Sequence, residues 1–483
     1  MFPPGTPTSF DLAERRVPAA LVDAGLGGAA PVPYWLDRSD RPKAGQRLTG
    51  SVRADLAVVG AGYTGLWTAL MAKERNPDRR VVVFEGGRVG WAASGRNGGF
   101  CEFSLTHGDA NGARHLPRES GRLADIGRRN LAEIGESVAR HGIDCDYSPV
   151  GTLTVATEEH QVAWLAEDSA DDPASEFLDG PALRAEVASE LFLAGVRDRT
   201  GTVLVHPSKL AWGLAEACRA AGVDIFENTP VRALADHGAD MVLRADGGVV
   251  RAPRVALATN AFPSLLRRHR LRTVPVYDYA LMTEPLTDAQ LAAIGWAGGE
   301  GIADLNNRFH YLRPTVDAAG GRRILIGGYD AVYHYGRSLR GGHDQHPATF
   351  RRLAAHFYAL FPQLEEVRFS HRWGGAIDTC SRFFSFFDVS HAGKVAYCAG
   401  FTGLGVGASR FGANVMLDLL SGERTELTDL ELVRRKPLPF PPEPAAWLGV
   451  RATTAALARA DRNGGRRGPL LKALDAVGMG FDS

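Results

Sequence analysis

Residues 55–87 read DLAVVGAGYTGLWTALMAKERNPDRRVVVFEGG, and this stretch decides the fold. The apolar run LAVV meets a glycine turn, then a helically spaced segment that stops near Asn76-Pro77, then a second apolar run, VVVF. Strand, helix and strand in that order make a βαβ unit. Its turn, Gly60-Ala61-Gly62-Tyr63-Thr64-Gly65, is a GxGxxG between strand and helix. Gly60 permits the tight turn, Gly62 lets a pyrophosphate approach the backbone, and Gly65 lets the helix lie close to the strand. The N–H groups of Tyr63 and Thr64 then open a helix toward an anion. Glu85 ends the second strand about 20 residues later, where a carboxylate accepts the hydroxyls of a ribose. An acid there repels a 2′-phosphate, which disfavours NADP and leaves FAD or NAD.

The following segment separates these two. After Gly86 and Arg88 comes Gly90-Trp91-Ala92-Ala93-Ser94-Gly95-Arg96-Asn97-Gly98-Gly99-Phe100, a second loop of small residues whose amides can wrap a bulky cofactor. An NAD domain has no need of it, so FAD is expected. A third cluster, Ala399-Gly400-Phe401-Thr402-Gly403-Leu404-Gly405-Val406-Gly407, lies far along the chain between a strand and a helix. A helix start there offers N–H donors where reduced flavin gathers negative charge.

The SGRNGG loop resembles that of the D-amino-acid oxidase superfamily, and of its γ-glutamylputrescine oxidoreductase branch in particular. HPSKLAWGLAEACRAAGVDIFENTPV, LATNAFP, LIGGYDAVY and RWGGAID are similar to further segments of that family, so the likeness runs from about residue 55 to 425. It implies an α/β fold: a Rossmann-like FAD-binding domain assembled from residues 54–110, 200–262 and 375–425, with an α+β substrate domain of mainly antiparallel sheet from 111–199 and 263–374. It also implies that Gly403, Leu404, Gly405 and Val406 lie beside the isoalloxazine, and Val231 near the adenine, where plain packing is the alternative. Residues 1–53, rich in Pro, Gly and Ala without period, are expected to form an arm, and 426–483 a helical tail packed on the body.

Two departures from the family pattern bear on chemistry. Where some relatives tether flavin through cysteine, this chain has glycine, around Gly374, and Cys380 falls on the other side of the match, so a noncovalent FAD is expected. Lysine is absent between Lys209 and Lys394, so Arg96 or a histidine would replace the lysine that activates oxygen in some relatives, or oxygen is not the acceptor.

Composition agrees with a small-molecule enzyme. Acids and bases balance at 55 each, which gives no global field toward nucleic acid or an anionic membrane. The five cysteines form no CxxC pair, which argues against a metal site, a disulfide framework and dithiol chemistry. No apolar run reaches membrane-span length and no secretory core follows Met1, so a cytoplasmic protein is expected.

The reaction implied is hydride transfer from the carbon next to nitrogen of a small amine or amino acid to flavin N5, with oxygen or an electron carrier as final acceptor. The pocket is expected to be walled by Phe100, by residues 307–313 including His310 and Tyr311, by Tyr333 and Tyr335, and by Trp373-Gly374. Arg96, His310, Tyr311 and Trp373 are the catalytic candidates. His310 is a possible proton acceptor or a structural histidine, and Arg308 or Arg313 a carboxylate clamp or an ion-pair partner. A flavin monooxygenase and a noncatalytic FAD-binding protein are the competing readings; the first needs a second nucleotide motif that the sequence lacks.

Overall fold

The computed structural model describes residues 5–171 and 174–479. These build a six-stranded, a four-stranded, a nine-stranded and a two-stranded sheet. In the six-stranded sheet the order is Phe386–Ser390, Val395–Ala399, Arg254–Leu257, Leu56–Val59, Val81–Phe84, Asp224–Phe226. All but the first strand run parallel. Leu56–Val59 and Val81–Phe84 are buried along their whole length because both faces of the sheet are covered.

One face carries helices Tyr63–Arg75, Pro207–Ala220 and Gly405–Ser421, and with them Ser120–Arg140. The last helix buries Leu123, Ile126, Asn130, Leu131, Ile134 and Val138, an i, i+3, i+4 stripe. It therefore packs on the nucleotide-binding side, whereas the sequence reading gave residues 111–199 to the substrate domain. The other face meets the four-stranded sheet of Gly50–Arg53, Gly248–Ala252, Asp240–Ala245 and Val231–His237.

The nine-stranded sheet is mainly antiparallel, with one parallel pair, Gly301–Asp304 beside Thr152–Ala156. Its strands alternate in facing, as pleating requires. Leu281, Ile302, Leu312 and Ile326 pack into a core with helix Pro347–Leu360. Ala280, Met282, Leu325 and Trp373 face the other way, toward the glycine loops.

Residues 5–53 differ from the expected arm in being built into the core. They contain helices Ser9–Arg16 and Ala19–Leu26, and their strand Gly50–Arg53 joins a sheet in parallel with Gly248–Ala252. Phe10 and Trp35 are 1% and 0% exposed, so this segment supplies core residues that an aperiodic, Pro- and Gly-rich sequence conceals. After residue 426 the described residues form helices Glu431–Arg434, Ala445–Asp461 and Pro469–Ala476.

Candidate active site

Because the strands are parallel, the turns that follow Leu56–Val59, Val81–Phe84 and Val395–Ala399 all leave the same edge of the sheet. Those turns are the three glycine clusters, so distant segments meet at one crevice, where open α/β sheets bind ligands. Helix Tyr63–Arg75 begins at Gly62 without a side-chain cap. Ser94 of the second loop reaches its start, and the Tyr63 N–H donates to Ser94 Oγ at 3.0 Å. A Cβ on Gly62 would stand 2.9 Å from that hydroxyl, and one on Gly65 would stand 1.9 Å from the Gly60 carbonyl oxygen. The bare backbone thus leaves the helix start open and keeps the helix against the strand.

Glu85 is buried at the next turn. One carboxylate oxygen accepts the Ala61 N–H at 2.7 Å; the other accepts the Gly87 N–H and the Trp91 indole N–H, both at 2.8 Å. Burial raises its pKa, opposed by these bonds. The oxygen on Ala61 keeps a lone pair for a ribose hydroxyl.

The second loop is braced from several sides. Asn97 Oδ1 accepts the Gly99 N–H at 2.8 Å, and its Nδ2 donates to the Ala93 and Ser94 carbonyls. The Trp35 indole N–H donates to the Asn97 carbonyl at 2.9 Å and that of Trp373 to the Arg96 carbonyl at 2.8 Å. Arg96 itself donates to the Trp91 and Gly374 carbonyls and pairs with Asp344 at 3.1 Å. Arg313 is fully enclosed and donates to the Val205 carbonyl at 2.7 Å and to those of Gly98 and Gly99 at 3.4 Å; burial lowers its pKa to about 10.

The third loop is held by a buried acid that sequence reading missed. Asp378 accepts the Gly400 N–H at 2.6 Å and bonds the N–H groups of Phe401 and Thr402; burial outweighs these donors and raises its pKa to about 6. His107 Nε2 lies 2.5 Å from the Thr402 carbonyl. Helix Gly405–Ser421 then starts at Leu404 with no side-chain cap, which leaves its first-turn N–H groups for a ligand. Cys380 Sγ is enclosed between the Phe384 and Gly400 carbonyls.

Strand alternation sorts the proposed pocket residues. Tyr311 faces the loops: a Cβ on Gly98 would meet its ring at 2.7 Å, and its hydroxyl donates to Asp278 at 2.7 Å. Burial lifts the Asp278 carboxyl to about 6. Phe100 lies edge-on to Tyr311, 5.9 Å between centroids.

His310 points the opposite way, against the sequence expectation. It is 0% exposed, with Nδ1 at 2.6 Å from Asp304 and Nε2 at 2.9 Å from His356, and its ring stacks on Tyr329. It is a structural histidine, out of reach of any substrate on the loop side. Arg308 pairs with Asp330 at 2.5 Å and lies 3.7 Å over the Tyr329 ring, so it clamps no substrate carboxylate. Tyr335 and Phe309 are exposed, and Tyr333 donates to Glu443 from the tail.

Four of the nucleotide candidates act through structure more than through free side chains. Tyr63 buries its hydroxyl on the Pro207 carbonyl, Thr64 lends its carbonyl to Thr68, and a Cβ on Gly86 would stand 3.5 Å from Pro230. Arg88 departs from expectation by donating to the Pro42 carbonyl of the N-terminal segment. Val231 begins its strand opposite Ala245 and packs at the rim of a hydrophobic cluster. Arg41 was missed: burial and the neighbouring Arg88 and Arg96 lower its pKa, a positive grouping near the second loop. A cleft of about 300 Å³ lined by Asp40, Lys43, Arg88 and Lys209 lies beside this grouping and away from Tyr311.

Uncapped helix starts, a buried acid at the end of the second strand and a braced loop facing an antiparallel sheet fit a flavoprotein oxidoreductase. The chain belongs to the family described as FAD dependent oxidoreductase (DAO), whose model matches residues 55–419. It is an FAD-dependent oxidoreductase. It is similar to gamma-glutamylputrescine oxidoreductase of Escherichia coli, 32% identical over 390 residues, covering 78% of this chain and 85% of that one. Glycine oxidase of Geobacillus kaustophilus is 25% identical over 338 residues, covering 67% of this chain and 81% of that one. Among solved structures, the crystal structure of that glycine oxidase superposes with a TM-score of 0.64 at 21% identity, covering 79% and 99% of the two chains. The amino acid oxidase NikD gives 0.66 at 15% identity, covering 82% and 100%. These superpositions are likenesses of fold. Among the described residues no helix is long and apolar enough to cross a membrane, and no group of acids, histidines and cysteines could hold a metal.

Proposed function

We propose that this chain oxidises a small amine at the carbon next to nitrogen, using noncovalently held FAD. The observations that support the reading are the glycine loops packed over the sheet face that bears Tyr311 and Asp278, where a substrate chamber would lie, together with relatives named for a putrescine derivative and for glycine. Bound FAD supplies the acceptor for the hydride. The protein supplies alignment and exclusion of water: Phe100 and Tyr311 wall the chamber, while Arg96 and Trp373 are positioning residues that fix the loop. Hydride loss leaves the substrate as an iminium, which water converts to a carbonyl compound, free amine and a proton. Oxygen or an electron carrier then collects the two electrons.

Anaerobic mixing of the yellow protein with a panel of amines tests this. Bleaching of the flavin without NAD(P)H is expected. Persistent colour with every amine would favour a noncatalytic FAD protein, and a requirement for NAD(P)H would favour a monooxygenase.

A further inference from the structure

Strand Phe100–Glu102 runs between the nine-stranded sheet and the third glycine loop, paired with Thr202–Leu204. Its centre, Cys101, is buried in the helix-side core, so Phe100 and Glu102 project from the opposite face. Phe100 shows where that face looks: its ring meets Tyr311, and a Cβ on Gly301 would strike it. The Glu102 backbone abuts the first turn of helix Gly405–Ser421, where a Cβ on Gly407 would clash with the Glu102 carbonyl. Strand alternation therefore puts Glu102 on the same face as Phe100, between the sheet that bears Tyr311 and the third glycine loop.

The Glu102 side chain has no hydrogen-bond or ion-pair partner among the described residues. Burial alone raises its pKa to about 7, with no cation to offset it. A largely buried carboxylate is costly unless something pairs with it, and Glu102 is only half-buried by surface area, which leaves it reachable by a ligand. Two arginines that brace the loops are committed elsewhere: Arg96 to Asp344, and Arg313 to the Val205, Gly98, Gly99 and Pro314 carbonyls. Asp278, the other acid on this side, already holds the Tyr311 hydroxyl. A substrate carboxylate would have to compete for Arg96 and Arg313 with the partners they already hold, whereas a substrate ammonium finds Glu102 unpaired.

We propose that Glu102 receives the positive charge of the substrate and is a specificity-determining residue, selecting amines of net positive charge over zwitterionic amino acids. The inference rests on the amine-oxidation reading above. A cation at Glu102 draws off its proton and completes a desolvated charge-assisted bond.

The test compares putrescine and N-acetylputrescine with glycine and N-methylglycine on the FAD-loaded protein. Turnover is followed by flavin bleaching, and binding by anaerobic calorimetry. Wild type is expected to favour the cationic amines. Glu102→Gln, checked for unchanged flavin content, should weaken their binding and raise their KM by ~10-fold or more, leaving the amino acids within a factor of ~2. Glu102→Asp should recover part of the loss. A wild-type preference for amino acids would overturn the proposal, as would a Glu102→Gln variant with unchanged binding of the cationic amines. Amines that bind through Glu102 without bleaching the flavin would instead sink the oxidation reading and leave the recognition role standing.

Discussion

Gly62 and Gly65 stand three residues apart in one turn, yet their alanine variants should fail in different ways. At Gly62 an added Cβ would come 2.9 Å from Ser94 Oγ, the end of a side chain that can rotate away, and the backbone there has φ −83°, open to any residue. The apoprotein should lose about 1 kcal/mol or less, the cost of alanine in place of glycine at a helix N-cap. FAD binding should suffer far more, because the methyl occupies the space through which phosphate reaches the N–H groups. Each bond to a charged group is worth about 1.5–3 kcal/mol, so losing one or two weakens FAD by ~100-fold. At Gly65 the Cβ would stand 1.9 Å from the Gly60 carbonyl oxygen and 3.3 Å from Val58 Cγ1. Neither neighbour can rotate aside, so helix Tyr63–Arg75 must withdraw from its strand. Overpacking costs about 1–3 kcal/mol, here at the upper end, and the helix-propensity gain of about 1 kcal/mol offsets part of it. A net loss of about 2 kcal/mol in the apoprotein is expected. Urea unfolding of both apoproteins and flavin retained after gel filtration measure the two quantities separately. Full flavin retention by Gly62→Ala, or unchanged stability of Gly65→Ala, would refute the reasoning.

Three further outcomes follow from the same geometry. His310→Ala should cost about 2–4 kcal/mol, since it strands Asp304 and His356, while the pH profile of turnover stays where it was; a displaced profile would restore His310 as a base. His356 is held neutral by burial, its pKa lowered from 6.5 to about 4, so the folded state binds fewer protons than the unfolded one and stability is full above pH 6.5 and lost as pH falls toward 4. The shift amounts to about 3 kcal/mol, and His356→Phe should flatten the dependence of the urea midpoint on pH over that window. Trp373→Phe removes the bond to the Arg96 carbonyl, worth about 1 kcal/mol, and should speed FAD release several-fold in stopped-flow dilution without raising substrate KM.

The nucleotide site was legible because its physics is local. A turn between apolar strands, an acid at the next strand end and a run of small residues each reveal their backbone job within a few positions. The substrate side was not, because on a strand the facing of a residue depends on register with partners far away. His310 and Tyr311 are neighbours and were chosen together; the pleat sends one to Asp304 and the other to Asp278. Asp378 and Glu102 are isolated acids with no motif around them, and only the loops folded against them give them meaning. The N-terminal segment misled for a related reason: Phe10 and Trp35 are buried singly, so their spacing carries no period.

The order of strands in the six-stranded sheet has a consequence for biosynthesis. Arg254–Leu257 separates Leu56–Val59 from Val395–Ala399, so the flank of the crevice that carries the third glycine loop cannot close until most of the polypeptide has left the ribosome. The glycine turn made first must wait, its amides facing water, for a helix encoded near residue 405. Flavin capture is therefore a late event, and a chain truncated before that helix would emerge without half of its binding crevice.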